Sequence, residues 1–316
     1  MLLVLAGYDA DKAGLVGHDW STNTLRYAGS AGILDDVNSG LESGLPRQYA
    51  AQMIANTLDT NRVKWSTDSD SFDDILNGGV KETVGSAYMG LSYDYGTLTT
   101  ITSDSLTVLI DDSYDSDNYH QSTKYTDVTF SKVGTDYSDL LGQKVNVMFK
   151  DGKTNNVLGV YAISDNTVYE TYLNKTEMDG EKIKFGGSSY SVEDMDSTAK
   201  GVQIDVIVDG ATAAKTDITD FDDTAMLDGN NLNKVSMNKV VFVDTNSNNK
   251  IDTAIITTYT GGEVTYVGSD KITFAGESYE FDDENIDEEI VKDDFAVMSK
   301  NLYEDCKDIV LSLIHI

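Results

Sequence analysis

Nine consecutive residues, Asp244-Thr245-Asn246-Ser247-Asn248-Asn249-Lys250-Ile251-Asp252, place side-chain oxygens at positions 1, 3, 5 and 9 of one short run. Hard oxygen donors at alternating positions are the chemistry of a Ca²⁺ loop. Asp244, Asn246, Asn248 and Asp252 are therefore the candidate metal ligands, and Ca²⁺ is the candidate cofactor. The run departs from an EF-hand in two places. Asn249 stands at position 6, where Gly is usual, and Ile255 stands at position 12, where Glu is usual. Lys250 falls at position 7, whose ligand would be a backbone carbonyl, so its side chain is free to point away. The flanks, Val240-Val241-Phe242-Val243 and Thr253-Ala254-Ile255-Ile256, have strand rather than helix composition. Asn and Asp also suit tight turns, because they accept left-handed backbone and bond their own chain. The run is thus either a calcium loop or a hairpin turn.

Other chemistry finds little to work with. The acidic runs Asp68–Asp74 and Asp111–Asp117 have the composition of solvated loops. Outside the C-terminal tail the histidines are His18 and His120, and Cys306 is the sole cysteine. That supply rules out an intramolecular disulfide and argues against a zinc site or a His-based triad. No Gly-x-Ser-x-Gly elbow or phosphate-binding Gly loop is present. Glycoside hydrolysis needs a carboxylate pair, and the spacing of 54 acidic residues singles none out. The expectation is a non-catalytic protein.

The 316 residues carry 23 Lys plus Arg against 54 Asp plus Glu, a formal charge of −31. Residues 1–65 hold 5 basic and 7 acidic residues, so nearly all of the excess lies downstream. Phosphate backbones require a basic face, which makes nucleic acid an unlikely partner. Cations, or simply water, suit the acidic part better. No apolar run approaches the roughly 20 residues of a membrane span, and the apolar start at residues 1–6 lacks the charged lead of a signal peptide.

The first 65 residues read as helix, loop, helix. Asp19 is placed to cap a helix carrying Trp20, Tyr27, Ala28 and Ala31 on one side, and Gly32 and Gly40 mark a loop. A second helix begins near Pro46, with Ala50, Met53, Ile54, Thr57 and Leu58 at amphipathic spacing. The string Leu2–Asp9, then Gly17…Trp20, then Arg47–Leu58 resembles the S-layer homology repeat of surface proteins from gut Firmicutes. The resemblance implies anchoring to pyruvylated secondary cell-wall polysaccharide. It also implies sugar contacts by Trp20 and Arg47 at the starts of the two helices. A guanidinium can grip a ketal carboxylate bidentately. The family's Thr-Arg-Ala-Glu pattern is here Pro46-Arg47-Gln48-Tyr49, without its hydroxyl and acid. By composition alone, Trp20 would suit the core of a small helical bundle.

Beyond Trp65 the pattern alternates, with polar turns between short strands. Gly96–Val108 is similar to Gly262–Phe274, and Gly180–Tyr190 matches Ser269–Tyr279 without gaps. Leu140–Met148 aligns with Ile290–Met298, and strands like Val157–Tyr161 and Ile251–Ile256 follow. The implied organisation is α+β and multidomain, a partial helical segment (1–65) followed by tandem, mainly antiparallel β modules. The expected boundaries are an acidic linker and lead-in at 66–95, β modules at 96–165 and 166–260, and a truncated third module at 261–310. Residues 311–316 read as the translation of a sequencing-library transposon end, with a longer natural chain expected. Together these features lead to the expectation of an extracellular, cell-wall-anchored, S-layer-like protein able to self-associate. The alternative is an anchored hydrolase or adhesin with its active domain elsewhere.

Overall fold

The computed structural model describes residues 1–38, 44–111, 126–131, 134–193, 202–212, 216–217 and 238–312. Gly40, His120, most of the Asp111–Asp117 run and the end of the expected read-through tail lie outside the described residues. The architecture is α+β: a short helical N-terminal part, then several antiparallel-rich sheets. Chain contacts define two compact units. One is built from Met1–Tyr95 with Val147–Gly159, the other from Gly96–Ile110 and the chain beyond Val160, with residues 126–146. Among the described residues no helix is long and apolar enough to cross a membrane.

In the first unit, α1 (Leu2–Leu5), α2 (Trp20–Ser30), α3 (Arg47–Asp59) and α4 (Val84–Met89) accompany the hairpins β1 (Val63–Ser66)/β2 (Ser71–Asp74) and β3 (Leu76–Asn77)/β4 (Val80–Lys81). Leu3, Ala6, Tyr8, Ala28, Ile33, Val63 and Val84 form its core, with Tyr27, Ala31 and Met53 packed against it. Tyr27, Ala28 and Ala31 therefore face inward as their spacing requires. Asp19 sits at the N-cap position of α2 without a side-chain capping bond.

The α3 stripe is narrower than its pattern predicts. Thr57 is buried and Met53 partly so, while Ile54 is 57% exposed. Polar bonds do much of the docking instead. The Asn56 side-chain amide donates to the carbonyls of Ile33 and Asp35, and the Thr60 hydroxyl donates to Ala31.

Residues 66–95, expected as a linker, are folded. Phe72 on β2 meets Tyr8, Tyr27 and Trp65 at ring-centroid distances of 4.8, 5.7 and 5.0 Å. The acidic neighbours obscured this one aromatic anchor. Thr83 caps α4 through a reciprocal box with Ser86, and that helix adds Val84 to the core.

The first β module comprises β5 (Leu91–Ile101), β6 (Ser105–Ile110), β7 (Asp127–Ser131), β8 (Lys144–Lys150) and β9 (Lys153–Ala162), in sheet order β7-β6-β5-β8-β9. The second comprises β10 (Thr167–Tyr172), β11 (Glu177–Asp179), β12 (Lys182–Phe185), β13 (Ser188–Val192), β14 (Gln203–Val208), β15 (Ala211–Thr212), β16 (Thr216–Asp217), β17 (Lys239–Asp244), β18 (Lys250–Ile251) and β19 (Thr253–Thr257). It makes the sheets β10-β17-β19-β14-β15, with β16 also on β14, and β11-β12-β13-β18. The third comprises β20 (Thr260–Val267), β21 (Lys271–Phe274), β22 (Glu277–Glu280), β23 (Asn285–Ile286), β24 (Phe295–Asn301) and β25 (Cys306–Leu311), in order β22-β21-β20-β24-β25-β23.

All three share one connectivity. A first strand pairs through one half with a following hairpin and through the other half with a later one. In the first and third modules that strand is unbroken and carries a bulge in its ladder with the following strand, at Leu98/Thr100 and at Val264/Tyr266. The bulge threonines repeat too: the Thr99 hydroxyl donates to the Thr107 carbonyl at 3.2 Å and the Thr265 hydroxyl to the Thr273 carbonyl at 3.4 Å. In the second module a 3₁₀ turn, Leu173–Lys175, divides β10 from β11 at the same place.

The residue before each break donates its backbone N–H to the chain just ahead of the fourth strand. The bonds are Leu98 to Gln143, Leu173 to Asn238 and Val264 to Asp294, at 2.9, 2.9 and 2.8 Å. These bonds correct the sequence alignment of the fourth strands. Gln143 corresponds to Asp294, not Asp293, so fully buried Val145 matches fully buried Ala296 and not the 41% exposed Phe295. A one-residue slip exchanges the two faces of a strand, and here burial decides the register. Asn238–Asp244 is the equivalent in the second module, separated in sequence by a long insertion.

The hairpin turns explain the matched repeats. Ile183 pairs with Tyr190 and Ile272 with Tyr279. The turn residues Gly186-Gly187 (φ 56° and 79°) and Ala275-Gly276 (φ 49° and 89°) have the paired left-handed conformations of a type I′ turn. Ile183, Phe185, Val240 and Phe242 centre one core, and Ile272, Phe274 and Ala296 the other. Gly96 and Gly262 occupy equivalent sites. A Cβ on Gly96 would run into the Leu109 carbonyl, and one on Gly262 would lie 2.8 Å from the Ala275 Cβ. Overpacking against fixed backbone costs about 1–3 kcal/mol. Gly96→Ala is therefore expected to lower the unfolding free energy by that amount in denaturant titration, whereas the open Gly159 tolerates alanine.

Candidate functional site

Asp244, Asn246, Asn248 and Asp252 occupy one loop, the enlarged turn between β17 and β19. It stands where the first module has only the two-residue turn Asp151-Gly152, with φ 55° and 66°. The strand edges bury both carboxylates: Asp244 is 1% and Asp252 4% exposed.

Asp244 Oδ1 accepts the backbone N–H groups of Asn246 (3.1 Å) and Asn248 (3.3 Å), and Oδ2 accepts that of Asn249 (2.7 Å). Asn246 Oδ1 accepts from the Asn248 N–H at 3.1 Å, and Asn248 Oδ1 from the Lys250 N–H at 2.8 Å. Asp252 Oδ2 accepts the Thr245 N–H and hydroxyl at 2.7 and 2.6 Å. Asn249 has φ 63°, the left-handed conformation that Gly supplies at position 6 of an EF-hand. Lys250 ion-pairs with Glu193 at 3.0 Å, and the Asn248 amide donates to the same carboxylate.

The geometry of the loop is thus closed by its own side chains. Five backbone or hydroxyl donors engage three of the four carboxylate oxygens of this pair, both of Asp244 and Oδ2 of Asp252. We expect the melting temperature to be the same in Ca²⁺ and in EDTA. Asp244→Ala should lose about 2–3 kcal/mol, because it leaves three N–H groups without their charged acceptor. Calorimetry in both buffers checks both outcomes.

Burial raises the Asp252 carboxyl above its ordinary 3.8, the Thr245 bonds oppose this, and the charges of Asp244 and Glu193 add to the rise. The folded state therefore favours the protonated acid more than the unfolded chain does. That contribution is complete below the unfolded value and lost as pH rises through the folded one. Asp252→Asn keeps an acceptor for Thr245 without the charge. It is expected to raise the neutral-pH melting temperature, with the gain vanishing once the pH falls below 3.8.

The two sugar-binding candidates stand at helix starts in the first unit. Trp20 opens α2 and is 55% exposed, so the core position that its size suggests is not the one it takes. The core of this unit is filled by Tyr8, Tyr27 and Phe72 instead, leaving the indole to solvent. Arg47 is the first residue of α3, directly after Pro46 at the N-cap, and is exposed. Arg26 lies over the Tyr27 ring at 4.5 Å, and Lys12 over Trp65 at 5.2 Å.

Sequence reasoning passed over a second polar turn, between β24 and β25. Asn301 Oδ1 accepts the N–H groups of Tyr303 and Glu304, and its amide donates to Asp308 at 3.1 Å. The Asn285 amide bonds both Glu304 and Asp308. Glu304, Cys306 and Asp308 bring their donor atoms within 4.8 Å of one another. Burial and three neighbouring acids push the Cys306 thiol upward, away from the thiolate a metal would need. The signal for this turn was its place after a fourth strand, the same as that of the Asp244 loop.

A groove of about 500 Å³ in the second unit is lined by Asp139, Val168, Glu170, Lys239, Val241 and Lys300, among others. Lys239 and Glu170 are 2.9 Å apart and neutralise each other. No protein-family model matches the chain, and no curated protein matches it.

Proposed function

We propose that the chain is a non-catalytic, extracellular surface protein. Its helical N-terminal part docks on an anionic, pyruvylated wall polysaccharide, and its β modules form a structural array. The reading rests on the resemblance of residues 2–58 to the S-layer homology repeat. One observation carries it further: Trp20, at the start of α2, is turned to solvent despite its size. An exposed indole presents a flat apolar face against which a sugar ring can lie. Together with an exposed Arg47 at the start of α3, it offers the two groups a carboxylated sugar requires, a flat apolar face and a bidentate cation.

The charge distribution fits this division of labour. The N-terminal 65 residues are almost balanced, so an anionic polymer is not repelled from them. The acidic modules stay soluble and away from the same polymer.

Sedimentation with purified pyruvylated cell walls tests the reading. The intact chain is expected to pellet with the walls. Arg47→Ala and Trp20→Ala should each weaken binding at least about tenfold, the loss of one charge-assisted pair or one stacked ring, without changing the melting temperature. Failure of the intact chain to pellet would overturn it.

A further inference from the structure

The three modules differ at one edge. In the second, the outer side of β19 is covered by β14, which runs parallel to it from Asp205↔Thr253 to Val208↔Ile256. In the third, the outer side of β25 is covered by β23, also parallel, through Asn285↔Asp308 and Ile286↔Ile309. Both covering strands come from the segment between the third and fourth strands of their module. The equivalent segment of the first module, between Ser131 and Lys144, forms the 3₁₀ turn Ser138–Leu140 and no strand among the described residues. The outer edge of β9 is therefore open among the described residues.

That edge is unlike the others. Edge strands are normally kept short or charged, because an open ladder recruits another strand. At the other edges, β7 begins with Asp127, β10 contains Glu170, β11 is bounded by Glu177 and Asp179, and β22 has a Glu at each end. β15, β18 and β23 are two residues long. β9 has ten residues, and from Thr154 to Ala162 not one is charged or is proline. Leu158 and Tyr161 on it are 45% and 43% exposed.

We propose that β9 is a self-association edge, pairing antiparallel with β9 of a second copy about a two-fold axis. A chain with a formal charge of −31 repels its own copy over most of its surface. A strand without acidic residues is where two copies can approach. Two identical edges meeting about a two-fold are necessarily antiparallel and self-complementary. The inference stands on this edge and not on wall docking.

Sedimentation velocity of the whole chain over a dilution series, without cell walls, tests it. A concentration-dependent species of twice 34.5 kDa is expected. Leu158→Glu adds an acidic charge to the pairing strand of each copy and should raise the dissociation constant at least about tenfold. Asn156→Glu, at another exposed position on β9, is the second variant should the first not fold. Val310→Glu, an exposed position on β25 one residue beyond its pairing with β23, should leave the dimer intact. Circular dichroism establishes that each variant is folded. A monomer at every concentration, or a dimer indifferent to both β9 charges, would overturn the proposal.

Discussion

Each β module depends on one backbone hydrogen bond, made where its first strand, or the β10–β11 pair in the second module, changes partners. The donor is Leu98, Leu173 or Val264 and the acceptor Gln143, Asn238 or Asp294. Directly beyond it the ladder on that side ends and the backbone bulges or turns through 3₁₀. The ladder with the other hairpin continues across the break: Leu98 and Thr100 both pair with β6, and Val264 and Tyr266 both pair with β21. A strand that belonged to one hairpin alone would leave half of its N–H and C=O groups without partners. The break lets one segment of chain satisfy two neighbours, and it brings the inner faces of both hairpins over a single core. Leu98, Val145 and Phe130 in the first module, and Val264, Ala296 and Ile272 in the third, are all buried because of it.

The legible parts of this design were those with strict local rules. Alternating Ile183-x-Phe185 and Ile272-x-Phe274 around paired left-handed turns specify their hairpins wherever they occur. The fourth strand was harder, because Val145-Asn146-Val147 and Phe295-Ala296-Val297 align equally well at two offsets. Only the long-range bonds choose between them. In the second module the same strand is legible as a flank of the Asp244 run, but its equivalence to the other two is hidden by the long insertion between Val192 and Lys239. At the N-terminus, Phe72 was hidden by its acidic neighbours, and the Asn56 and Thr60 side chains dock α3 by polar bonds that hydrophobic periodicity cannot register.

The candidate sites show the same division. The spacing of Asp244, Asn246, Asn248 and Asp252 correctly gathers them into one loop. It does not say whether their oxygens face outward to an ion or inward to the loop's own amides, since both use the same residues. That depends on left-handed Asn249 and on Glu193, fifty residues away, holding Lys250 and Asn248. Trp20 illustrates the opposite limit. Its size argues for the interior, and its exposure follows only from three other aromatic rings having filled that interior first.

The central position of each module's opening strand also has a mechanical meaning. In the third module β20 and β25 both pair antiparallel with β24 and so run in the same direction, with β24 between them. Tension applied where the chain enters β20 and leaves β25 pulls these two strands in opposite senses along their length. The ladders on either side of β24 are then loaded together, in shear, and cannot be unzipped one rung at a time.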